Sequence, residues 1–360
     1  MRGPLAWQAL PVPPRRRWPE RALAAIVLVL LVLGVGSLDV PYLAVAPGSA
    51  RDVDELVHVP TDKAFPARGE VLLTTVALRR VSAIEAVAGW IDDDVDVVPR
   101  HRILGTNSHR QFRQRTIQAM DDSKEAAVVT ALRRLGFTVA EQGRGALVEG
   151  VERQAPAREH LHEGDVITAV EGQATALSQE AADAIRARRP GQAVTLEVHG
   201  PDGVRRTERV VLAAHPERPG GFLGVTLRTK EQRYDLPFAV RIDSAEIGGS
   251  SAGLAFALQL LDTLSEGELT GGEKVAVTGT IELDGRVGEV GGVAQKVAAA
   301  RSAGARYFLV PEAEFDEAVS HAGGKLEVVE VATLEDALVA LGRLGGDLSA
   351  FAPGPRRGQR

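Results

Sequence analysis

The sequence predicts a multidomain α+β protein that begins with an apolar helix. Its 360 residues are enough for two to three domains of average size. Hydrophobic residues make up 44% and charged residues 25%, which is typical of globular chains and excludes disorder or a fibrous repeat as the main state. Short alternating stretches and longer helical patterns both occur along the chain, so strands and helices are both expected.

The charge and the absence of cysteine exclude several classes of function. The formal net charge is −6 and no basic patch stands out, so no nucleic-acid partner is predicted. Without cysteine there is no disulfide, thiolate zinc site, iron–sulfur cluster or cysteine nucleophile. His101 and His109 are eight residues apart and are assigned to a solvated surface. No metal and no cofactor are therefore predicted.

An uncharged stretch at residues 22–38 predicts a membrane-spanning helix. Its 17 residues are at the short end of the roughly 17–25 that cross a bilayer. Four arginines between positions 15 and 21 precede it and none follows closely, which places residues 1–21 in the cytoplasm. Residues 22–45 are thus predicted to be a single-pass anchor in the cell membrane, with the rest of the chain extracytoplasmic. The alternative is a cleaved signal peptide, because residues 44–46 have the small-x-small pattern.

Residues 46–123 form a first region beyond the predicted anchor. Residues 69–76 are largely apolar and alternate like a strand, and residues 82–90 have the pattern of a helix. The rest of this region has mixed charge and no motif, so its role is unassigned.

Residues 124–215 have the pattern of a small β-barrel-like sheet with capping helices. A strand-like run at residues 146–151 leads to a Leu-x-x-Gly-Asp turn at residues 161–165. Ser178 can cap a helix, and Gly200-Pro201-Asp202-Gly203 is a hairpin signal. This order of elements resembles a bacterial PDZ domain.

The resemblance implies that this domain binds the extended tail of a protein or peptide substrate. A PDZ domain adds a peptide as a strand beside a helix, while the N–H groups of an apolar-Gly-apolar loop receive the terminal carboxylate. Leu135, Gly136 and Phe137 fit that loop, and Gly136 lets the backbone approach the carboxylate. The alternative is that Leu135 and Phe137 are core residues around a glycine turn.

Residues 220–345 contain the side chains expected to carry chemistry. Ser251 lies in the sequence Ile-Gly-Gly-Ser-Ser-Ala-Gly-Leu, ahead of leucines at helical spacing, so it is predicted to lie at the start of a helix. Glycines on both sides let backbone N–H groups converge, and a helix N-terminus favours a developing oxyanion. Ser251 is therefore the candidate nucleophile, with Gly249 and Ser250 in supporting positions.

Lys296 is the candidate base. It interrupts the nearly apolar face of an Ala-rich helix that follows Gly291-Gly292. The chain has six lysines against 36 arginines, so this lysine is not one of many interchangeable surface charges. The alternative is a helix lysine whose stem packs while its charge stays in water.

Together these motifs resemble the proteolytic domain of Lon-type serine peptidases. The family has Ser-Ala-Gly at a helix start, here residues 251–253, and Gly-Gly-x-x-x-Lys, here residues 291–296. The resemblance implies an α+β domain with a Ser251–Lys296 dyad and with the Thr278 hydroxyl near the lysine. The family's Asp-Gly-Pro before the serine is replaced by Gly248-Gly249-Ser250, so an acidic helper is missing.

An anchor, a PDZ domain and a Lon-like domain in this order resemble the YlbL-like group of bacterial membrane-bound peptidases. No Gly-x-x-x-x-Gly-Lys-Ser/Thr occurs in the sequence, so no ATP requirement is expected. The resemblance implies an ATP-independent, membrane-anchored serine endopeptidase, and Lon-type domains commonly form rings, so a homo-oligomer is compatible with it. Residues 346–360, rich in Pro, Gly and Arg, are expected to be a disordered tail.

Two other functions remain open at this stage. The missing acidic residue is compatible with an inert, peptide-binding scaffold. Residues 249–253 also fit Gly-x-Ser-x-Gly, the nucleophile motif of α/β-hydrolase esterases, for which His321 is the one downstream histidine. Replacement of His321 by Ala separates the esterase from the Ser-Lys peptidase.

Overall fold

The computed structural model describes residues 23–27, 29–30, 34, 38–215, 219–244 and 247–351. The first stretch of regular elements contains β1 (Asp39–Asp52), β2 (Val57–His58), β3 (Glu70–Ser82), α1 (Ala83–Gly89), β4 (Asp96–Pro99), α2 (Arg100–Leu104) and α3 (His109–Arg134). The second contains β5 (Ala140–Gln142), β6 (Ala146–Val151), β7 (Val166–Val170), β8 (Gln173–Ala174), α4 (Ser178–Arg186), β9 (Ala193–His199), β10 (Arg205–Val211), β11 (Ala213–Ala214), β12 (Gly221–Phe222), β13 (Val225–Thr229) and β14 (Arg233–Asp235). The third contains β15 (Arg241–Ile242), α5 (Gly253–Thr263), β16 (Lys274–Val277), β17 (Thr280–Ile281), β18 (Val287–Gly288), α6 (Val293–Ser302), β19 (Tyr307–Pro311), α7 (Phe315–Ala322), β20 (Glu327–Val331) and α8 (Leu334–Arg343).

A mixed sheet with the strand order β20-β19-β16-β3-β1-β4 forms the larger unit. The strands from β20 to β3 are parallel, whereas β1 is antiparallel to both β3 and β4. Leu72 and Leu73 of β3 are both buried, one in the core around α6 and the other in the core around α5. Both faces of the central strands are therefore covered, which explains why three successive apolar residues of β3, at positions 71–73, are all buried.

The larger sheet joins two distant parts of the chain. β1, β3 and β4 come from residues 39–99, whereas β16, β19 and β20 come from residues 274–331. Residues 46–123, whose role the sequence left unassigned, thus contribute strands to the same sheet as residues 220–345. The contact between β3 and β16 brings together residues about 200 positions apart, and no local pattern in the sequence indicates such a pairing.

The middle unit has its own sheet and its own core. Its strand order is β10-β9-β7-β6-β13, with β8 paired to β7. Ala181 and Ile185 of α4 pack into a cluster that is separate from those of the larger sheet. At the turn before β7, the buried Asp165 accepts two hydrogen bonds from Arg206, at 3.0 and 2.5 Å, and one from the His162 N–H at 2.7 Å.

The middle unit is inserted into the larger one. The chain leaves the larger unit at the end of α3 and returns through β14 and β15. These two connections lie side by side, because β5 pairs with β14 in an antiparallel ribbon. The rings of Phe137 and Phe238 also meet edge to face, with their centroids 5.3 Å apart.

The predicted membrane anchor at residues 22–45 is wrong. Among the residues that the structure describes, no helix is long and apolar enough to cross a membrane. β1 begins at Asp39, and its Leu43, Ala44 and Val45 are buried in the sheet, so the end of the predicted span is a strand. The predicted single-pass location in the cell membrane is corrected accordingly. The other predicted anchor positions at 22, 28, 31–33 and 35–37 lie outside the described residues.

The last described residues pack against the larger unit. Ser349–Phe351 form a short 3-10 helix in which Phe351 is buried, with the Arg134 guanidinium 5.7 Å above its ring. Residues 346–351, predicted to belong to a disordered tail, are thus in place, and residues 352–360 lie outside the described residues.

Candidate active site

A cleft of about 840 Å³ opens beside the loop that precedes α5. One wall consists of side chains from β1, β3 and β4, and the other contains residues 247–252 together with the loop before α6. The lining is mainly apolar and includes Leu78, Phe112 and Met120. Ser251 and Lys296 both line this cleft, so the structure brings the two predicted catalytic residues to one site.

Ser251 is held by the end of β16. Its carbonyl oxygen accepts hydrogen bonds from the Gly279 N–H at 3.0 Å and from the Thr278 hydroxyl at 3.4 Å. Two residues before it, Gly249 has a φ of +101°, a backbone conformation that a residue with a side chain adopts only with strain. Gly249 and Ser250 also line the cleft. The glycine therefore allows the chain to turn sharply just ahead of the serine.

Lys296 lies on α6 with only 2% of its surface exposed. Its Nζ donates a hydrogen bond to the Thr278 Oγ1 at 3.0 Å. Burial disfavours the ammonium form and lowers the pKa of Lys296 to about 8, although the charge of Glu314 opposes this shift. The side chain can therefore be neutral near physiological pH, as a general base must be.

Thr278 connects the two candidate catalytic residues. Its side chain is fully buried just after β16. The hydroxyl oxygen accepts a hydrogen bond from the Lys296 Nζ, and the O–H donates one to the Ser251 carbonyl. A hydroxyl can do both at once, whereas a carboxylate could not donate. Thr278 thus limits where the Lys296 amine can lie relative to the serine.

Glu314 was not found by the sequence analysis. It lies in the 3-10 helix Glu312–Glu314 after β19, and its Oε1 accepts a hydrogen bond from the Val290 N–H at 3.2 Å. Burial raises the pKa of this carboxyl group. Because Val290 and Gly291 line the cleft, Glu314 supports the wall beside Lys296. Its only signal in the sequence is an acidic residue shortly after an apolar strand.

His321 does not lie at this site. It is on α7, and its Nδ1 contacts the Ser320 hydroxyl at 2.9 Å and the Glu317 carbonyl at 3.0 Å. A nucleophile elbow requires a long strand just before the serine. Among the described residues that precede Ser251, the nearest strand is β15, which contains only Arg241–Ile242. The geometry therefore disfavours the esterase.

The predicted carboxylate-binding loop at Leu135, Gly136 and Phe137 is the C-terminal cap of α3. The Gly136 N–H donates to the Arg133 carbonyl and the Phe137 N–H to the Leu132 carbonyl, both at 3.0 Å. This pair of bonds, with a φ of +83° at Gly136, is a Schellman cap. These N–H groups are already used to end the helix, so the structure does not place a carboxylate site there.

A second apolar-Gly-apolar sequence lies at the start of a strand beside a helix, which is the position of a carboxylate-binding loop in a PDZ domain. Leu223-Gly224-Val225 leads directly into β13, which lies at the end of the middle sheet and faces α4. A groove of about 160 Å³ between them is lined by residues that include Ala182 and Leu227. The sequence analysis ended the domain at residue 215 and so missed this motif, although its pattern and the strand after it are visible in the sequence.

Two protein families match this chain, one in the middle unit and one in the larger unit. The PDZ domain family matches residues 134–208, and the Lon protease (S16) C-terminal proteolytic domain family matches residues 241–342. The second match leaves out β1, β3 and β4, which complete the same sheet.

The curated relatives agree with the match to the Lon-type domain. The Lon protease of Clostridioides difficile is 39% identical over 93 residues, which are 25% of this chain and 12% of that protein. The archaeal Lon protease of Methanocaldococcus jannaschii is 32% identical over 92 residues, 26% of this chain and 14% of that protein. A solved PDZ domain of the SdrC-like protein from Listeria monocytogenes is 30% identical, covers 23% of this chain and 87% of its own, and has a TM-score of 0.22. The chain thus spans about an eighth of the length of these curated relatives, and it is a protein with a PDZ domain and a Lon-type proteolytic domain.

Proposed function

We propose that this protein is an ATP-independent serine endopeptidase in which Lys296 activates Ser251. The observation that carries the proposal is the buried Lys296, whose pKa is lowered to about 8 and whose amine is joined through Thr278 to the serine that lines the same cleft. With that pKa about one lysine in ten is neutral at pH 7, against about one in three thousand for an unperturbed lysine.

The proposed reaction uses these groups in turn. Neutral Lys296 Nζ accepts the proton of the Ser251 hydroxyl, and the serine oxygen attacks the scissile carbonyl carbon of a peptide in the cleft. Backbone N–H groups at the start of α5 stabilise the oxyanion. The lysine ammonium then protonates the leaving amine, and water hydrolyses the acyl-enzyme with Lys296 again as the base. Thr278 holds the amine in position through both steps.

Ser251→Ala is expected to remove cleavage of an unfolded protein substrate in an assay without ATP. The purified protein should cleave it, and the variant should be at least about a thousandfold slower because it has no nucleophile. Fragments are separated and counted by mass spectrometry. The matched control is His321→Ala, which should cleave at the wild-type rate because His321 lies on α7 and does not line the cleft.

Equal cleavage by Ser251→Ala would refute the proposed nucleophile. Loss of cleavage in both His321→Ala and Ser251→Ala would favour the esterase type of site, which uses the same serine with a histidine as its base. If the wild-type protein binds peptide tails but cleaves no protein or peptide, the chain acts as the scaffold described above.

We also infer that substrate tails bind in the groove between α4 and β13. Among the described strands, none pairs with the outer edge of β13, because this strand ends the sheet order. An extended peptide can therefore be added there as a further strand, with its terminal carboxylate near Leu223-Gly224-Val225. This groove replaces the predicted site at Leu135–Phe137 as the proposed tail-binding site.

Ala182→Phe is expected to weaken tail binding at least about tenfold, because the added ring fills a groove of about 160 Å³. Binding is measured by fluorescence anisotropy with a labelled decapeptide that ends in an apolar residue and a free carboxylate. Ala187→Phe, at the exposed end of the same helix, is the matched control and should bind as the wild type does. Equal affinities of the two variants would place the tail elsewhere.

A further inference from the structure

Helix α3 is hydrogen-bonded to the loop that carries the proposed nucleophile. The Gly249 N–H donates to the Thr116 carbonyl at 2.8 Å, and the Ser123 hydroxyl donates to the Ser250 carbonyl at 2.9 Å. Thr116 and Ser123 are seven residues apart on α3, so they lie on nearly the same face of the helix, two turns from each other. The helix thus contacts both residues that precede Ser251.

The bond from Ser123 fixes one particular peptide plane. The Ser250 carbonyl belongs to the peptide unit whose N–H is that of Ser251, and this unit is trans because the described chain has no cis peptide bond. In a trans unit the carbonyl and the N–H point in opposite directions. Because α3 holds the carbonyl, the Ser251 N–H is directed away from α3. Among the described residues, no backbone carbonyl accepts a hydrogen bond from it.

The packing around Ser123 leaves little freedom for this bond. Ser123 is 5% exposed, and a Cβ added to Gly253 would lie 2.8 Å from its hydroxyl oxygen. The Gly253 N–H also donates to the Ser250 carbonyl, at 3.4 Å. The glycine of the Ser-Ala-Gly sequence therefore provides the space that the Ser123 side chain occupies, and any larger residue would displace it.

We propose that Ser123 is a positioning residue that aims the Ser251 N–H at the oxyanion of the reaction intermediate. This inference rests on the proposed function. A free Ser250 carbonyl would let the peptide plane rotate, and the N–H would then point at the oxyanion only part of the time. Because a donor stabilises the transition state only when it is already aimed, the loss falls on kcat rather than on substrate binding.

The chain offers a matched control for Ser123 on the same helix. Thr130 is also buried on α3, and its hydroxyl donates to a loop carbonyl, that of Glu282, at 3.2 Å. Ser123→Ala and Thr130→Ala each remove one buried hydroxyl and one hydrogen bond to the backbone. Only the first of these bonds reaches the nucleophile loop, so the pair separates positioning from a general loss of stability.

The test measures kcat, KM and the pH profile of peptide cleavage by the whole protein. Ser123→Ala is expected to lower kcat about ten- to a hundredfold, to change KM less than about twofold and to leave the pH midpoint of the wild type unchanged. Ser123→Thr keeps a hydroxyl and should recover part of the rate. Thr130→Ala should keep the wild-type kcat. Hydrogen exchange of residues 247–254, which needs no activity, should be faster in Ser123→Ala than in Thr130→Ala.

Three results would overturn the inference. The first is an equal kcat for Ser123→Ala and Thr130→Ala. The second is a fall in kcat of Ser123→Ala that comes with a shifted pH midpoint. The third is hydrogen exchange of residues 247–254 that is no faster in Ser123→Ala than in Thr130→Ala. Cleavage that persists in Ser251→Ala refutes the proposed function instead. If Ser251 is essential and Ser123→Ala is fully active, the peptidase stands and only the role of Ser123 falls.

Discussion

Lys296→Met is expected to abolish peptide cleavage and, at pH 7, to make the folded protein more stable. The variant removes the proposed general base, which lowers kcat by at least about a thousandfold. It also removes a buried amine whose pKa is lowered from 10.5 to about 8, a shift that corresponds to a cost on the order of 3 kcal/mol when the lysine is charged. The lost bond to Thr278 offsets about 1 kcal/mol of this gain.

The gain in stability depends on pH in a defined direction. Below pH 8 the lysine is protonated in both the folded and the unfolded protein, so burial of the charge lowers the free energy of unfolding of the wild type by its full amount. Between about pH 8 and 10.5 the unfolded chain binds more protons than the folded protein, and wild-type stability rises with pH. The difference between variant and wild type should therefore be about 2 kcal/mol at pH 7 and should disappear by about pH 10.

Urea unfolding at pH 7 and pH 10 checks the stability, and the same samples check the activity. Wild-type kcat/KM should rise about tenfold per pH unit below pH 8 and level off above it, since only neutral Lys296 acts as a base. Lys325→Met, which removes a lysine at the exposed position 325, is the control and should change neither quantity. A Lys296→Met protein that is less stable than the wild type at pH 7 would contradict the assigned burial of the charge.

Asp165→Ala is expected to destabilise the PDZ domain by about 3 kcal/mol. Burial alone would raise the pKa of Asp165, but the hydrogen bonds from Arg206 and from the His162 N–H outweigh it and lower the pKa. The carboxylate side chain is 2% exposed, so removing it leaves the Arg206 guanidinium without its buried partner. Glu208, 3.0 Å from the same guanidinium, compensates for part of the loss.

Hydrogen exchange of the β7 and β9 amides measures this effect within the PDZ domain. Asp202→Ala, in an exposed turn of the same domain, is the control and should exchange nearly as the wild type does. Asp165→Ala should still cleave a short peptide that does not bind to the PDZ domain, because the cleft with Ser251 is lined by residues of the larger unit. Equal exchange rates in Asp165→Ala and the wild type would show that the ion pair contributes nothing to the stability.

Local patterns in the sequence predicted several elements well. The alternating run at residues 69–76 is part of β3, the predicted helix at residues 82–90 is α1, and the Ala-rich helix after Gly291-Gly292 is α6. These elements have strong local signals, such as the Ser82 capping box and the unbroken apolar faces. The candidate residues Ser251 and Lys296 were found in the same way, by motifs that are short and contiguous.

The errors have one physical cause. The structure of the wrongly predicted segments depends on contacts with residues that are far away in the sequence. Residues 43–45 are apolar and were assigned to a membrane helix, yet they are buried in a strand that pairs with β3 and β4. Leu135-Gly136-Phe137 and Leu223-Gly224-Val225 have the same pattern. The first caps a helix and the second lines a groove, and only the position of the second beside α4 distinguishes them. Likewise, the closeness of Ser123 and Ser250 follows from the packing of α3 on α5, across 127 positions of sequence.

The insertion of the PDZ domain also sets the order of events during synthesis. β3 leaves the ribosome about 200 residues before its partner β16. At a translation rate of about 5–20 residues per second, the earlier strand waits about 10–40 s for the later one. The PDZ domain, whose strands follow one another closely, is completed within that interval. The nascent chain therefore carries a complete PDZ domain next to half of the larger sheet, with apolar β3 still uncovered. The cleft that contains Ser251 and Lys296 cannot form until the chain from the loop before α5 to α6 has been made.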